Sequence, residues 1–359
     1  AALWLLLSAS AEAGVCPSYK CADLTDNLCV SYSSASNTFS LQECKASNEY
    51  CNIPASYGNV TCSSDDSASH YIHYAGEHCK DSSHCYMYYP CNNDVCTAKG
   101  FNATCGIDQE CSVGLYCAGL TNSTGTYYVC QNQKKVGEQC INDGDCVNTA
   151  ACAYDYNQVG TCTTYFSIDN GSQVAQCPGH INKLCKSSVC VLNGNTNYTC
   201  IDAPTTKASL PSECTQPGGQ PSQCYSTDLY GYGESYFRPL CTCGNNNNGT
   251  AYCNLNPGDP YYQKFIEYEK EWYQTSYVNK CNTAEREALA CIETYWDKYE
   301  TYSYYYYATF TYAQLQDNPT CVKKILNSAF YYNSVGDSDD DDDAASYVAL
   351  GAVLGSFFI

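Results

Sequence analysis

The sequence predicts small disulfide-rich modules, made of short strands and loops and set in tandem, followed by an all-α, tyrosine-rich helical segment. Three observations carry this prediction. The chain holds 30 cysteines, an even number, and thiols at that density persist as disulfides in an oxidising compartment outside the cytosol. Leu, Ile, Val and Phe together number only 57 of 359 residues, below the roughly 20% expected of a chain that folds around an aliphatic core. Composition also breaks near residue 257: 27 cysteines precede it and three follow, while Tyr, Glu, Lys and Ala become frequent.

Both ends carry an address. Residues 1–13, AALWLLLSASAEA, join an apolar run to an A-x-A pattern at Ala11–Ala13, which reads as a signal peptide truncated at its start and cleaved after Ala13. Residues 344–359 are mostly apolar and number 16, short of the roughly 20 that a spanning helix needs. Before them, 333–343 supply small residues and an acidic spacer, the order that specifies a glycosylphosphatidylinositol (GPI) attachment signal. Ser334 or Asn333 is the expected attachment residue, with Gly336 next; the competing reading is a single-span anchor. The expected location is the extracellular face of the plasma membrane.

The formal charge of −20 excludes nucleic acid as a partner, because phosphate binding needs a basic surface. N-x-[ST] acceptor triplets begin at Asn59, Asn102, Asn122, Asn170, Asn197 and Asn248, which predicts solvated, glycan-bearing loops over most of the cysteine-rich region.

The N-terminal cysteine-rich region spans 14–75, and a recurring spacing then occupies 76–200. Its copies are Cys79, Cys85, Cys91, Cys96; Cys105, Cys111, Cys117, Cys130; and Cys140, Cys146, Cys152, Cys162, with a looser fourth of Cys177, Cys185, Cys190, Cys200. Each of the first three begins near a glycine and carries an acid after its first cysteine: Gly76 and Asp81, Gly100 and Asp108, Gly137 and Asp143. Self-similarity at this period marks modules in a row. Two bridges per module must supply what so small a core cannot, each worth roughly 2–4 kcal/mol. Four cysteines allow three pairings, and spacing does not choose among them.

The pattern G-x-x-C-x5-C-x5-C with a fourth cysteine, as in the run from Gly137 to Cys152, resembles the cysteine-rich repeats of ciliate GPI-anchored surface proteins, immobilisation antigens in the broad sense. The resemblance covers 76–200 and implies a surface-coat or receptor-like role with no catalytic residues to carry over.

Residues 201–256 are rich in Pro, Gly and Asn and read as a linker stapled by Cys214, Cys224, Cys241, Cys243 and Cys253. The helical region follows over 257–332. Asp259-Pro260 starts a helix of about 261–279, and Asn282 with Glu285 resembles a capping box for a second. Along that second helix Ala288, Ile292, Tyr295, Tyr299, Tyr302 and Tyr306 form a seam at alternating steps of four and three. If continuous from 283 to 316, it is about 50 Å long and protrudes. The alternative makes Thr301–Tyr312 a strand, since Tyr and Thr favour strands. Pro319 ends the helix, and 321–332 form a short third one.

Few constellations suggest chemistry. His70, His73, His78 and His84 are candidate metal ligands, but their spacing gives no helix-face pair and no cofactor is called for. Cys241-Thr242-Cys243 suggests two separate bridges sooner than a redox pair. Hydrolase elbows and phosphate loops are missing from the sequence, which argues against an enzyme. The expected function is a structural or protective surface coat, self-assembling through the tyrosine seam with other copies or other surface glycoproteins. The alternative is a receptor or adhesin whose modules bind an external ligand, with Tyr86, Tyr88 and Tyr89 as the one aromatic cluster to form a groove.

Overall fold

A computed structural model describes residues 16–46, 49, 51, 58–63, 73–86, 89–123, 125–155, 157–175, 183–193, 197–203, 213–214, 224, 241–255, 257 and 259–326. Among the described residues 14 disulfides are formed, and no cysteine is free.

The described part of the chain begins with a four-stranded sheet. Strands β1 (Ser18–Cys21), β2 (Leu28–Ser33), β3 (Thr38–Leu41) and β4 (Val60–Thr61) lie in the order β1-β3-β2-β4, with β1 parallel to β3. Cys29–Cys51 and Cys44–Cys62 staple it.

The modules follow, each around one hairpin: β5 (Cys91–Asn92) with β6 (Val95–Cys96), β7 (Leu115–Asn122) with β8 (Gly125–Asn132), β10 (Ala150–Tyr154) with β11 (Gly160–Thr164) beside β9 (Gln139–Cys140), and β13 (Cys190–Asn193) with β14 (Asn197–Cys200) beside β12 (Gln173–Val174). The bridge pairing left open by the sequence is crossed, first to third and second to fourth: Cys79–Cys91 with Cys85–Cys96, Cys105–Cys117 with Cys111–Cys130, and Cys140–Cys152 with Cys146–Cys162. In the fourth copy Cys185–Cys200 matches the second-to-fourth bridge, and Cys177 lies outside the described residues.

Four backbone devices recur with the bridges. The third and fourth cysteines face each other across every hairpin. A residue upstream of each module, His73, Lys99, Lys134 or Ile168, bridges the second cysteine in parallel. A short 3-10 turn precedes the second cysteine in the first three copies. A residue in the left-handed region donates its N–H to the carbonyl of the fourth cysteine, at 2.7–2.9 Å: Gly76, Asn102, Gly137 and Gly171. In the second copy this position belongs to Asn102, with φ +64°, and not to Gly100; asparagine is the non-glycine residue that tolerates that backbone best. Asp108 and Asp143 accept the third cysteine's N–H at 2.7 Å, and in the first copy Ser82, not Asp81, does so at 3.1 Å.

Residues 201–256 hold more than a linker. Strands β15 (Glu213–Cys214), β16 (Cys241–Cys243) and β17 (Ala251–Cys253) form a three-stranded sheet, closed by Cys214–Cys241 and Cys224–Cys253 and tied to the N terminus by Cys16–Cys243. Cys241 and Cys243 therefore serve two separate bridges.

Among the described residues four α-helices follow: α1 (Pro260–Gln274), α2 (Leu289–Tyr295), α3 (Tyr299–Leu315) and α4 (Thr320–Leu326). Pro260 begins α1 where its missing N–H costs nothing. The expected single helix from 283 to 316 is instead broken: 282–288 is a turn, Trp296 is extended, and Thr301–Tyr312 is helical in α3. The turn forms because its polar groups bond the modules, as described below. Nothing protrudes as a stalk here, since α1, α2 and α3 bury their rings in one cluster with Ala151 and Tyr165 of the third module. Trp272, Phe265 and Ile292 are at most 1% exposed, and Trp296 packs on Trp272 with centroids 5.6 Å apart. Aromatic burial thus stands in for the missing aliphatic core, each ring covering 150–250 Å². Finally α4 packs on the first sheet, Val322 entering its core beside Val30 and Leu41, and Cys21–Cys321 joins the two.

Candidate functional site: a buried polar hub and the exposed acceptor asparagines

The turn between α1 and α2 is where the modules meet. Cys281–Cys291 closes it into a small loop, and the residues inside reach outward. Asn282 is fully buried. Its Nδ2 donates to the carbonyls of Cys111 at 2.8 Å and Ala75 at 3.3 Å, and its N–H donates to the Glu77 carboxylate at 2.7 Å, so one residue holds the first and second modules. Its Oδ1 accepts the Ala284 N–H at 3.0 Å, which keeps part of the predicted cap but leaves the helix to start at Leu289.

The third module is held by three side chains. Thr283 donates its hydroxyl to Gly144 at 2.8 Å. Arg286 donates Nη1 to the Ala150 carbonyl at 2.9 Å, with those of Val147 and Cys146 at 3.4 and 3.5 Å. Asn148 answers in the other direction, donating Nδ2 to the carbonyls of Val278 and Cys281 at 2.8 Å each. Trp272 completes the hub by donating its indole N–H to the Arg286 carbonyl at 2.8 Å. Buried carbonyls without donors are costly, so these side chains satisfy the modules' backbone where it is turned inward.

Lys183, just before the second cysteine of the fourth copy, lies 2.9 Å from Glu269 of α1 and 2.7 Å from Glu287 of the turn. Burial alone works against a charged lysine, but the two carboxylates reverse this and raise its pKa. Partial desolvation works against ionised Glu287, which keeps an exposed side, yet Lys183 and the Tyr273 hydroxyl, 2.7 Å away, bring it below the usual carboxylate range. At the first module, burial and then the nearby Glu77 push Glu285 up to about 8, and Tyr74 hydrogen-bonds it. Glu285 thus favours its protonated form at the face where the turn meets the first module.

The sequence candidates fall as follows. His73 sits 3.8 Å from Glu77, His78 is exposed with its backbone bonded to Tyr295, and His70 and the His84 side chain lie outside the described residues. Sulfur clusters such as Cys79, Cys85 and Cys96 are close enough to hold an ion, but their sulfurs are already in bridges. Tyr86 packs against Tyr74 and Tyr89 donates to Glu110 of the second module at 3.0 Å, so these rings join neighbours; Tyr88 is outside the described residues. The seam turns inward: Ile292 and Tyr302 are core residues, Tyr295, Tyr299 and Tyr306 pack against that core, and Ala288 is half-buried. Ile292 and Tyr302 are thus spent inside this chain, while Tyr295, Tyr299 and Tyr306 keep part of their surface exposed. Ser334, Asn333, Gly336, the acidic spacer and the signal segment lie outside the described residues.

Asn59, Asn102, Asn122, Asn170 and Asn248 are all exposed; the side chain of Asn197 is outside the described set. The buried asparagines, Asn148, Asn245, Asn246, Asn282 and Asn318, all fall outside acceptor triplets, Asn318 because Pro319 follows it. Sequence reasoning missed Arg286, Asn148 and Lys183 as organisers. The available signal was the Glu285-Arg286-Glu287 cluster, holding one of only two arginines in the chain.

In the described residues no helix is long and apolar enough to cross a membrane. Compared with family models, with curated proteins and with solved structures, the chain finds no match.

Proposed function

We propose that the protein is an extracellular, GPI-anchored glycoprotein with a structural or protective surface-coat role. One observation carries the reading: Cys21–Cys321 ties the first sheet to the C-terminal helix α4 and Cys16–Cys243 ties the chain ahead of that sheet to β16, around modules that are themselves cross-stapled. A unit closed in this way tolerates chain cleavage and harsh solvent, which is what a coat meets. The exposed acceptor asparagines and the acidic composition support it, since glycans and like charge keep neighbouring copies soluble and apart.

The anchor and the role are tested together. Cells displaying the protein are treated with phosphatidylinositol-specific phospholipase, and the released protein is challenged with trypsin before and after reduction. The expected result is release, with resistance that disappears on reduction. Retention on the membrane overturns the anchor; equal digestion of both forms overturns the protective role.

A further inference from the structure

The β7–β8 hairpin differs from its counterparts. Its strands are eight residues long, against two, five and four in the sister modules, so it runs as an arm well past the Cys117–Cys130 pair. No charged residue occurs from Leu115 to Asn132, in a chain whose formal charge is −20. Leu120, Tyr127 and Tyr128 are exposed at 37%, 44% and 50%. Tyr128 lies over Gly119, 3.1 Å from where a Cβ would stand. Leu120 and Tyr127 are directly opposite each other on the other face.

The two edges of the arm are unequal. On β8, residues 102–105 cover the backbone: Asn102 donates to the Cys130 carbonyl, Cys130 to that of Ala103, and Cys105 to that of Tyr128. On β7 the outward N–H of Cys117 is taken by Asp108. Beyond it, Gly119 and Thr121 face outward with no backbone partner among the described residues. An uncharged open edge carrying apolar side chains is a template for strand pairing, and proteins ordinarily guard such edges with charges, prolines or bulges. None of these is present.

What stands there instead is an acceptor asparagine. Asn122 ends β7 in the triplet Asn122-Ser123-Thr124. Side chains alternate along a strand, so Asn122 shares a face with Leu120 and, across the ladder, with Tyr127. It is exposed, at the free end of the unguarded edge. We propose that the oligosaccharide attached to Asn122 seats on the Leu120–Tyr127 pair and covers the open edge of β7, so that two copies cannot pair arm to arm. The sugar does what charges do on other edges: it is bulky, hydrated and incompatible with a strand laid alongside. This inference rests on the reading of the protein as a secreted glycoprotein.

The test uses the full chain secreted from a glycosylating eukaryotic host, with glycopeptide mapping and sedimentation over a concentration series. Wild type is expected to carry a glycan at Asn122 and to sediment as a monomer. Thr124→Ala, and independently Asn122→Gln, should lose that glycan alone and double in mass as concentration rises, with unchanged circular dichroism. Adding Thr121→Lys to Thr124→Ala should restore the monomer by charging the edge. Monomeric behaviour of both unglycosylated variants overturns the proposal, as does a Thr121→Lys double variant that still dimerises. If Asn122 is vacant while Asn59, Asn170 or Asn248 is occupied, the edge guard falls and the secreted-glycoprotein reading stands. If every acceptor is vacant, both fall.

Discussion

Cys21 and Cys321 are joined across 300 residues of chain, from the first strand of the first sheet to the last helix. Any single cut between them leaves both pieces covalently attached. Limited proteolysis to one nick should therefore give a band of full mass without reductant and two fragments with it; two bands without reductant would disprove the closure. Replacing both cysteines by serine should cost about 2–4 kcal/mol, read from a non-reducing denaturant midpoint. The larger figure that so long a loop would suggest does not apply, because Cys16–Cys243 already closes most of that span.

Asn282 is the next point of leverage. Asn282→Ala leaves the inward carbonyls of Ala75 and Cys111 without their donor, and roughly 2–4 kcal/mol of destabilisation is expected from two orphaned buried acceptors. Asn282→Asp should be worse, since it places a second carboxylate beside Glu77 and cannot donate. A loss below about 0.5 kcal/mol for the alanine variant would mean that the hub is not what holds the first two modules.

Glu285 predicts a pH dependence. Its folded pKa, raised by burial and then by Glu77 to about 8, lies above the ordinary 4.5, so the folded state favours the protonated carboxyl. The stability this contributes is complete below about pH 4.5, declines as pH rises, and is gone above about pH 8. Glu285→Gln should match wild type near pH 4 and exceed it at pH 9 by on the order of 1–3 kcal/mol. Denaturation midpoints across that range check it, and an unchanged slope in the variant would refute it.

Lys183 neutralises two carboxylates at once. Lys183→Met leaves Glu269 buried and unpaired, and a loss of about 3–5 kcal/mol is expected. Adding Glu269→Gln should recover part of it, because the uncompensated charge is then gone. Failure of the second change to recover any stability, measured by the same denaturation, would mean that the lysine acts through packing alone.

The recurring cysteine spacing was legible because it is local. The crossed pairing was not, because all three pairings of four cysteines share one spacing, whereas the turn before the second cysteine and the left-handed donor repeat with that spacing, and Gly76 and Gly137 occupy the donor position. Gly100 misled, because Asn102 can adopt the same backbone and composition alone does not distinguish them. The helical region was legible as helix but not as one broken helix. The periodicity of Ala288 to Tyr306 continues smoothly through the bend at Trp296, and a seam says only that rings share a face, not whether that face looks out or in.

The amino-acid order by itself determined the covalent character of the protein: sulfur-rich modules first, an aromatic helical part after, and acceptor asparagines spread over the cysteine-rich part. Only the tertiary structure decided that the helices sit among the modules and that the tyrosines line the interior. The reason lies in what Asn282 and Arg286 bind. Their partners are main-chain carbonyls of Ala75, Cys111 and Ala150, and a carbonyl is the same group in every residue, so no letter in the chain marks which ones will be found.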